Sequence, residues 1–350
     1  MVTSEELLKS DIELSNTDNW LIDNWFPIGH RGIDVAPEGG CKTTLGCWWS
    51  VCIAANVQIF GHWVAGGPVL MIDEETPEAD LTKQLDRFSM GLGYHDHTEL
   101  PITLLCKNGF RFGRKTELDR VLSVIHDLKP KFIRLDSYIA MLPAGRQGRS
   151  ENDSGSGIAA RDDLNRMLDA SPGCNILLAA HSPKPVAQWG IKEYGTAAMQ
   201  ELVRGHGSLV GEACDTGFAI KKLSEYPKPL QFAIVTKARR VAVPMSSEIV
   251  YVEMKEERYG EGWARLEQVP PIPTPPSGIA RELFHLFSDG APHSEHEITK
   301  RSSLHTKKEN RLGIEELLAN KFILKHKEPF TYRLNPNYKT DVNPDYLKQL

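Results

Sequence analysis

Ala36-Pro37-Glu38-Gly39-Gly40-Cys41-Lys42-Thr43-Thr44 is the stretch on which the fold turns. It follows a short extended segment and runs into an apolar helical pattern over 43–57. A phosphate-binding loop carries Gly, four residues, then Gly-Lys-Ser/Thr. The lysine, the threonine and the helix are in place, while Ala36 and Cys41 stand where the glycines belong. Gly39 and Gly40 let the backbone bend so that its N–H groups converge on phosphate oxygens at a helix N-terminus. On this reading residues 38–44 (Glu38, Gly39, Gly40, Cys41, Lys42, Thr43 and Thr44) hold the nucleotide. Lys42 reaches the β- and γ-phosphates, and Thr43 offers its hydroxyl to Mg²⁺. Cys41 is the discordant position, because a side chain there crowds the phosphates or restricts the backbone. The competing reading of the loop alone is a glycine-rich turn before a buried helix.

Outward from the loop, short apolar runs alternate with helical patterns. Strands are expected at 68–73, 102–106, 132–136, 175–180, 216–221 and 231–236, and helices at 43–57, 78–90, 115–128, 159–170 and 196–203. That alternation predicts an α/β fold with a doubly wound, mainly parallel sheet. The last strands lack long helices between them, so that edge is expected to be antiparallel. Ligands of such sheets bind beyond the carboxyl ends of the strands.

Three strand ends carry polar residues there. Asp73-Glu74-Glu75-Thr76-Pro77-Glu78 is an acidic cluster in which one carboxylate can orient or deprotonate a water. Thr76 to Glu78 also reads as a helix start, and both roles are compatible. The run Phe132-Ile133-Arg134-Leu135-Asp136 reads as a buried strand ending in Asp136, the place of a metal-site carboxylate, with Arg134 unusual in its interior. The strand over 175–180 ends in His181-Ser182, placed to sense the γ-phosphate. Taken singly, Asp136 reads as a cap and His181 as a structural hydrogen-bonder.

The 350 residues hold 41 Lys and Arg against 46 Asp and Glu, a net charge of −5, with 41% hydrophobic and 25% charged residues. These values exclude disorder for the bulk of the chain and exclude a uniformly basic nucleic-acid coat. No apolar run approaches the ~20 residues of a membrane span. The acidic start has no secretion pattern, and six cysteines form no CxxC pair, so reduced thiols, a cytoplasmic location and no membrane partner are expected.

Five prolines within 270–276 mark a semi-rigid linker. The boundaries expected are an N-terminal segment 1–24, a main domain 25–269, the linker 270–277, a small domain 278–335 and a tail 336–350. The small domain shows helical patterns at 279–287 and 306–320, a capping-box spacing from Ser294 to Glu297, and a hairpin of 322–325 with 331–334. Three helices and a hairpin resemble a winged helix. Residues 278–335 hold ten Lys and Arg against eight Asp and Glu. Lys300, Arg301, Lys307, Lys308 and Arg311 flank the turn into the third helix, a placement that fits duplex DNA backbone.

Together the loop, "IDEETPEADLTKQLDRF", the strand ending in Asp136, "LLAAHSPKP", "VRGHGSLVGEACDTGFAI" and "VTKARR" resemble the RecA/DnaB/KaiC superfamily of P-loop ATPases. Within it the RepA-like plasmid helicase and archaeal RadA-related branch is most similar. The resemblance covers about residues 25–268. It implies a RecA-like fold, ATP and Mg²⁺, Glu74 as catalytic glutamate with Glu75 the alternative, Asp136 at the metal and His181 as sensor. It implies that Lys237 and Arg239 reach the nucleotide of a neighbouring subunit in a hexameric ring. It also assigns 143–157 and 183–204 to a channel for single-stranded DNA, with Arg146, Arg149, Lys184, Lys192 and Arg204 on the strand and Trp189 and Tyr194 as stacking surfaces. The function expected is an ATPase of helicase or remodelling type. The alternatives are a slow or non-hydrolysing nucleotide sensor that binds DNA, and a KaiC-like signalling ATPase.

Overall fold

The computed structural model describes residues 19–143, 154–187, 189–203, 210–211, 214–224, 229–238, 248–258 and 260–270, then 283, 293–301, 310, 314, 317–318, 323–326 and 331–334. The chain divides into two compact units, Met1–Val269 and Pro270–Leu350.

The first unit opens with two short strands, β1 (Trp20–Ile22) and β2 (Phe26–Pro27), paired antiparallel. Its body is one nine-stranded sheet. The strands are β3 (Arg31–Ala36), β4 (Val69–Asp73), β5 (Ile102–Cys106), β6 (Phe132–Asp136), β7 (Asn175–His181), β8 (Thr216–Ser224), β9 (Gln231–Ala238), β10 (Ile249–Arg258) and β11 (Glu261–Val269). Their order is β11-β10-β9-β8-β3-β7-β6-β4-β5. From β5 to β8 every pairing is parallel, and from β8 to β11 every pairing is antiparallel. This is the mainly parallel α/β architecture expected of a RecA-like fold, with its antiparallel edge.

The period of two along each strand sends side chains to opposite faces. Ile33, Val35, Leu70, Ile72, Ile133 and Leu135 join one apolar cluster with α3 (Lys115–Leu128) and α4 (Ser154–Ala170). Met71, Phe132, Leu177 and Phe218 join a second cluster with α1 (Lys42–Ala55) and α2 (Glu78–Gly91). Helix α1 buries ten residues, Trp48, Trp49 and Ile53 among them, and Trp49 meets Phe218 edge-on at 4.8 Å between ring centres. A helix apolar around most of its circumference must be enclosed. Its C-terminus stops at Asn56, which takes the left-handed conformation (φ 55°) and donates its N–H to the carbonyl of Ile53.

The helix predicted over 196–203 is instead two short pieces, α6 (Ile191–Thr196) and α7 (Met199–Leu202), preceded by α5 (Lys184–Ala187). Lys237 on β9 donates to the carbonyls of Gly195 and Ala197, and this tertiary cation takes the acceptors that a continuous helix would use. The strands β10 and β11 were not anticipated. In β11 the buried Ala264 and Leu266 alternate with Arg265 and Glu267, and β10 buries Val250 and Val252, so the two form a half-buried antiparallel pair.

The second unit contains β12 (His293–Ser294), α8 (Glu295–Arg301), β13 (Ile323–His326) and β14 (Thr331–Leu334). The strands form a three-stranded sheet in the order β12-β14-β13. The Ser294 to Glu297 spacing forms its capping box: Ser294 donates N–H and hydroxyl to Glu297 at 2.7 and 2.9 Å, and its hydroxyl accepts the Glu297 N–H at 3.3 Å. The helices predicted at 279–287 and 306–320 lie largely outside the described residues. None of the six cysteines forms a disulfide, and among the described residues no helix is long and apolar enough to cross a membrane.

Candidate nucleotide site

Strand β3 ends at Ala36, and the chain must turn within five residues to start α1. Gly39 does so at φ +68° and Cys41 at φ +72°. Gly40 donates to the carbonyl of Pro37 at 3.0 Å, and a Cβ on Gly40 would lie 2.6 Å from Ala36 Cβ and 2.7 Å from that carbonyl oxygen. Only glycine closes the loop there. Cys41 is the N-cap of α1 without a side-chain cap bond. It occupies left-handed space that costs a residue with a Cβ roughly 1–2 kcal/mol. The cysteine therefore performs the turn expected of glycine, under backbone strain. Its half-buried side chain packs at the margin of the α1 cluster and also lines the cleft.

The cleft, about 340 Å³, is lined by Gly39 to Thr44, Glu75, Asp136, His181, Lys222, Leu230 and Met254. Lys42 is buried, and its Nζ donates to the carbonyls of Ala36 and Pro37 at 3.3 and 3.2 Å and to His181 Nδ1 at 3.4 Å. Burial pulls its pKa down, against the carboxylates of Asp136, Asp34 and Glu75. Thr43 donates its hydroxyl to Asp136 Oδ2 at 2.9 Å. Thr44 accepts from Gln84 Nε2 at 3.0 Å.

The two glutamates separate. Glu74, the catalytic glutamate preferred from sequence, is turned away from the cleft. Its carboxylate accepts the backbone N–H groups of Gly109 and Phe110 at 3.0 and 3.1 Å and pairs with Arg111 at 2.7 Å, leaving it 2% exposed. Glu75 faces the loop. Its carboxylate accepts from the Ser137 hydroxyl and lies 3.8 Å from His181 Nε2. The imidazole, opposed by burial and helped by Ser137, holds Glu75 down at about 2. A carboxylate that acidic is a weak proton acceptor, so it is suited to orienting a water rather than deprotonating it. The anticipated cap at Thr76 is also replaced. Asp73 Oδ1 accepts the N–H groups of Glu75 and Thr76 at 2.8 and 2.6 Å, and Pro77 is the N-cap of α2.

Strands β4 and β6 place Asp73 beside Asp136 in register. Burial and that neighbour push Asp73 up to about 6. Below them lies an ion pair that accounts for the unusual arginine inside β6. Arg134 donates to both oxygens of Asp34 at 2.5 and 3.0 Å, each residue 1% exposed. Burial lowers the affinity of this guanidinium for its proton, but the carboxylates of Asp34 and Asp136 reverse that and raise it.

A family model described as an AAA domain matches residues 8–187, just over half of the sequence. The chain belongs to the AAA domain family. The P-loop nucleotide-binding class expected from the loop is therefore that of the protein. No curated protein matches the sequence. Among solved structures, a KaiC-like protein from the hyperthermophilic archaeon Pyrococcus horikoshii OT3 is similar at 16% identity, with a TM-score of 0.47 over 71% of this chain and 94% of that one.

In this AAA domain protein the residues Gly39, Gly40, Cys41, Lys42, Thr43, Thr44, Glu75, Asp136 and His181 share one cleft, while Glu38 and Lys184 are exposed on an adjoining groove with Glu75 and His181. The donor set fits a magnesium nucleotide. The oxygens of Thr43 and Asp136 suit a hard cation, and the glycine cradle with buried Lys42 suits phosphate. Lys237 is half-buried and donates to carbonyls of its own chain. Tyr194 is buried in the core and stands edge-on to Trp189, so it is no stacking surface. Lys300 is exposed on α8 and Arg301 closes that helix. Arg146, Arg149, Arg204, Arg239, Lys307, Lys308 and Arg311 lie outside the described residues. Sequence reading missed Ser137, Lys222, Leu230 and Met254. Of these, Ser137 had a signal, as the residue following the strand-end aspartate.

Proposed function

We propose that this AAA domain protein binds ATP with Mg²⁺ in the cleft and hydrolyses it. The observation that carries this reading is the convergence of Lys42, Thr43, Glu75, Asp136 and His181 beyond the carboxyl ends of β3, β4, β6 and β7. Lys42 exchanges its loop carbonyls for phosphate oxygens. Thr43 and Asp136 hold the metal side, and Glu75, fixed by Ser137, orients the attacking water. His181 contacts both Lys42 and Glu75, so phosphate occupancy on one side is felt by the glutamate on the other. Bound Mg²⁺ supplies neutralisation of phosphate charge.

The wider proposal is that turnover drives a homo-oligomer, a hexameric ring, on DNA in a RepA-like helicase or remodelling role. Its support is the sequence resemblance, the exposed Lys184 and Lys300, and a second unit whose short helix and three-stranded sheet suit a winged helix. The ATPase rate with and without single- and double-stranded DNA, alongside solution mass, tests it. A monomer with no response to either DNA overturns the helicase role, and no turnover at all overturns hydrolysis.

One observation favours a second reading, the slow nucleotide sensor: Cys41 holds the loop at φ +72°. Cys41→Gly removes that strain and is expected to raise ATP turnover at least tenfold if the wild-type loop is the brake. Brisk wild-type hydrolysis, unchanged in the variant, rejects the sensor.

A further inference from the structure

The arginine inside β6 has more partners than an ion pair needs. Asp34 and Arg134 lie on strands separated by β7, on the face that packs against α1. In register, Asp34 pairs with Ala179 of β7, whose small side chain leaves the guanidinium a path across that strand. Above it α1 presents Gly46, where a Cβ would stand 2.6 Å from Arg134 Nε and 3.0 Å from its Cζ. Asp34, Gly46 and Arg134 therefore form one fitted unit across three elements. Having satisfied Asp34, the same guanidinium still reaches the carbonyl of Lys42 at 3.3 Å and Asp136 Oδ2 at 3.4 Å.

Resting on the proposed magnesium nucleotide site, we infer that Arg134 is a positioning residue for the metal-site carboxylate. Clamped on Asp34, it fixes Asp136 and the first turn of α1, and its charge weakens the hold of Asp136 on free divalent cation. Metal then enters with the nucleotide rather than ahead of it. The charge inventory supports this. Asp34, Asp73 and Asp136 are buried within a few residues of the strand ends, and among the described residues Arg134 and Lys42 are the buried cations beside them. Coulomb attraction to a divalent ion falls when a fixed cation sits next to its ligand, most strongly where water is excluded. Arginine suits the role because its fork holds Asp34 with two nitrogens while staying charged at any pH the fold survives.

The test uses the full chain and Mn²⁺ alone as probe, read by electron paramagnetic resonance without nucleotide, together with mant-ATP titrations in Mg²⁺ and in EDTA. The double variant Asp34→Leu/Arg134→Met keeps the net charge and replaces a buried pair by apolar residues, an exchange cores often accept. Nucleotide-free Mn²⁺ is expected to bind it at least tenfold more tightly than wild type. Asp34→Asn keeps a hydrogen-bond partner for Arg134 but leaves its charge to bear on Asp136, and Mn²⁺ binding is expected to weaken severalfold. Arg134→Lys retains the charge without the fork, so it keeps wild-type weakness toward Mn²⁺ while losing mant-ATP affinity. A role confined to structure would move all three variants in one direction, with equal loss in Mg²⁺ and EDTA, and that result overturns the inference. Unchanged Mn²⁺ affinity in a folded double variant overturns it as well. If the double variant does not fold, the other two decide: Asp34→Asn weakens Mn²⁺ binding, whereas Arg134→Lys leaves it as in wild type and loses mant-ATP affinity. Wild type that binds no mant-ATP removes the nucleotide reading itself, a separate failure.

Discussion

Lys42→Ala is expected to lower ATP affinity at least a hundredfold while leaving the thermal midpoint unchanged or raised. The lysine is buried at the start of α1, where among the described residues its hydrogen-bond partners are two carbonyls and an imidazole, and burial pulls its pKa down against the nearby carboxylates. It is a cation held in place at a cost to the fold. Two charge-assisted hydrogen bonds to phosphate, at roughly 1.5–3 kcal/mol each, account for a loss of about 3 kcal/mol or more on its removal. A mant-ATP titration alongside a melt measures both effects. Unchanged affinity would mean that the loop does not hold phosphate.

Glu75→Gln and Glu74→Gln are expected to fail in different ways although the residues are adjacent. Glu75→Gln should cut kcat about a hundredfold or more with KM little altered, since a water-orienting carboxylate contributes on that scale. Glu74→Gln should leave kcat within a fewfold but lower stability by about 2–3 kcal/mol, because it weakens a charged acceptor of two backbone N–H groups and Arg111. Single-turnover rates and urea melts separate the two. The converse pattern would return the catalytic role to Glu74. Titration adds a check of sign. Glu75, held at about 2, contributes stability that is fully present above its ordinary 4.5 and is lost as pH falls toward 2. Asp73, raised to about 6, does the reverse: its ionised form disfavours the fold, so stability declines as pH rises from 3.8 through 6. An acidic limb of the rate profile above pH 4 therefore does not belong to Glu75.

The parts legible in sequence were those with local causes. The strands over 102–106 and 132–136 and the helix over 115–128 were bounded as they form, because each is a run of apolar periodicity between turn residues. Lys42, Thr43, Asp136 and His181 were legible because they sit at strand ends or a helix start, where any such sheet gathers its polar residues. The choice between Glu74 and Glu75 was not, since both lie beyond the last strand residue and the turn held by Asp73 decides which faces the loop. The Asp34–Arg134 pair joins residues far apart in the chain, and each alone reads as a flaw in an apolar strand. Tyr194 reads as a surface aromatic because its segment is polar, yet it is buried in the core cluster, edge-on to Trp189. The segment 249–258 is hard to read as a strand because its second half, Met254-Lys255-Glu256-Glu257-Arg258, is almost wholly charged, although Val250 and Val252 of its apolar first half are buried.

The position of β3 sets a schedule for biogenesis. The strand that carries the phosphate loop is flanked by Asn175–His181 on one side and Thr216–Ser224 on the other, both long after it in the chain. During synthesis it cannot be paired on both edges until residue 219, the last to pair with it on that side, has left the ribosome. Contacts this distant are slow to close. The most ligand-ready element, made early, is thus seated late, and nucleotide capture becomes a report that the parallel part of the sheet is complete. A chain ending before β8 is expected to retain no mant-ATP, even with every residue of the loop in place.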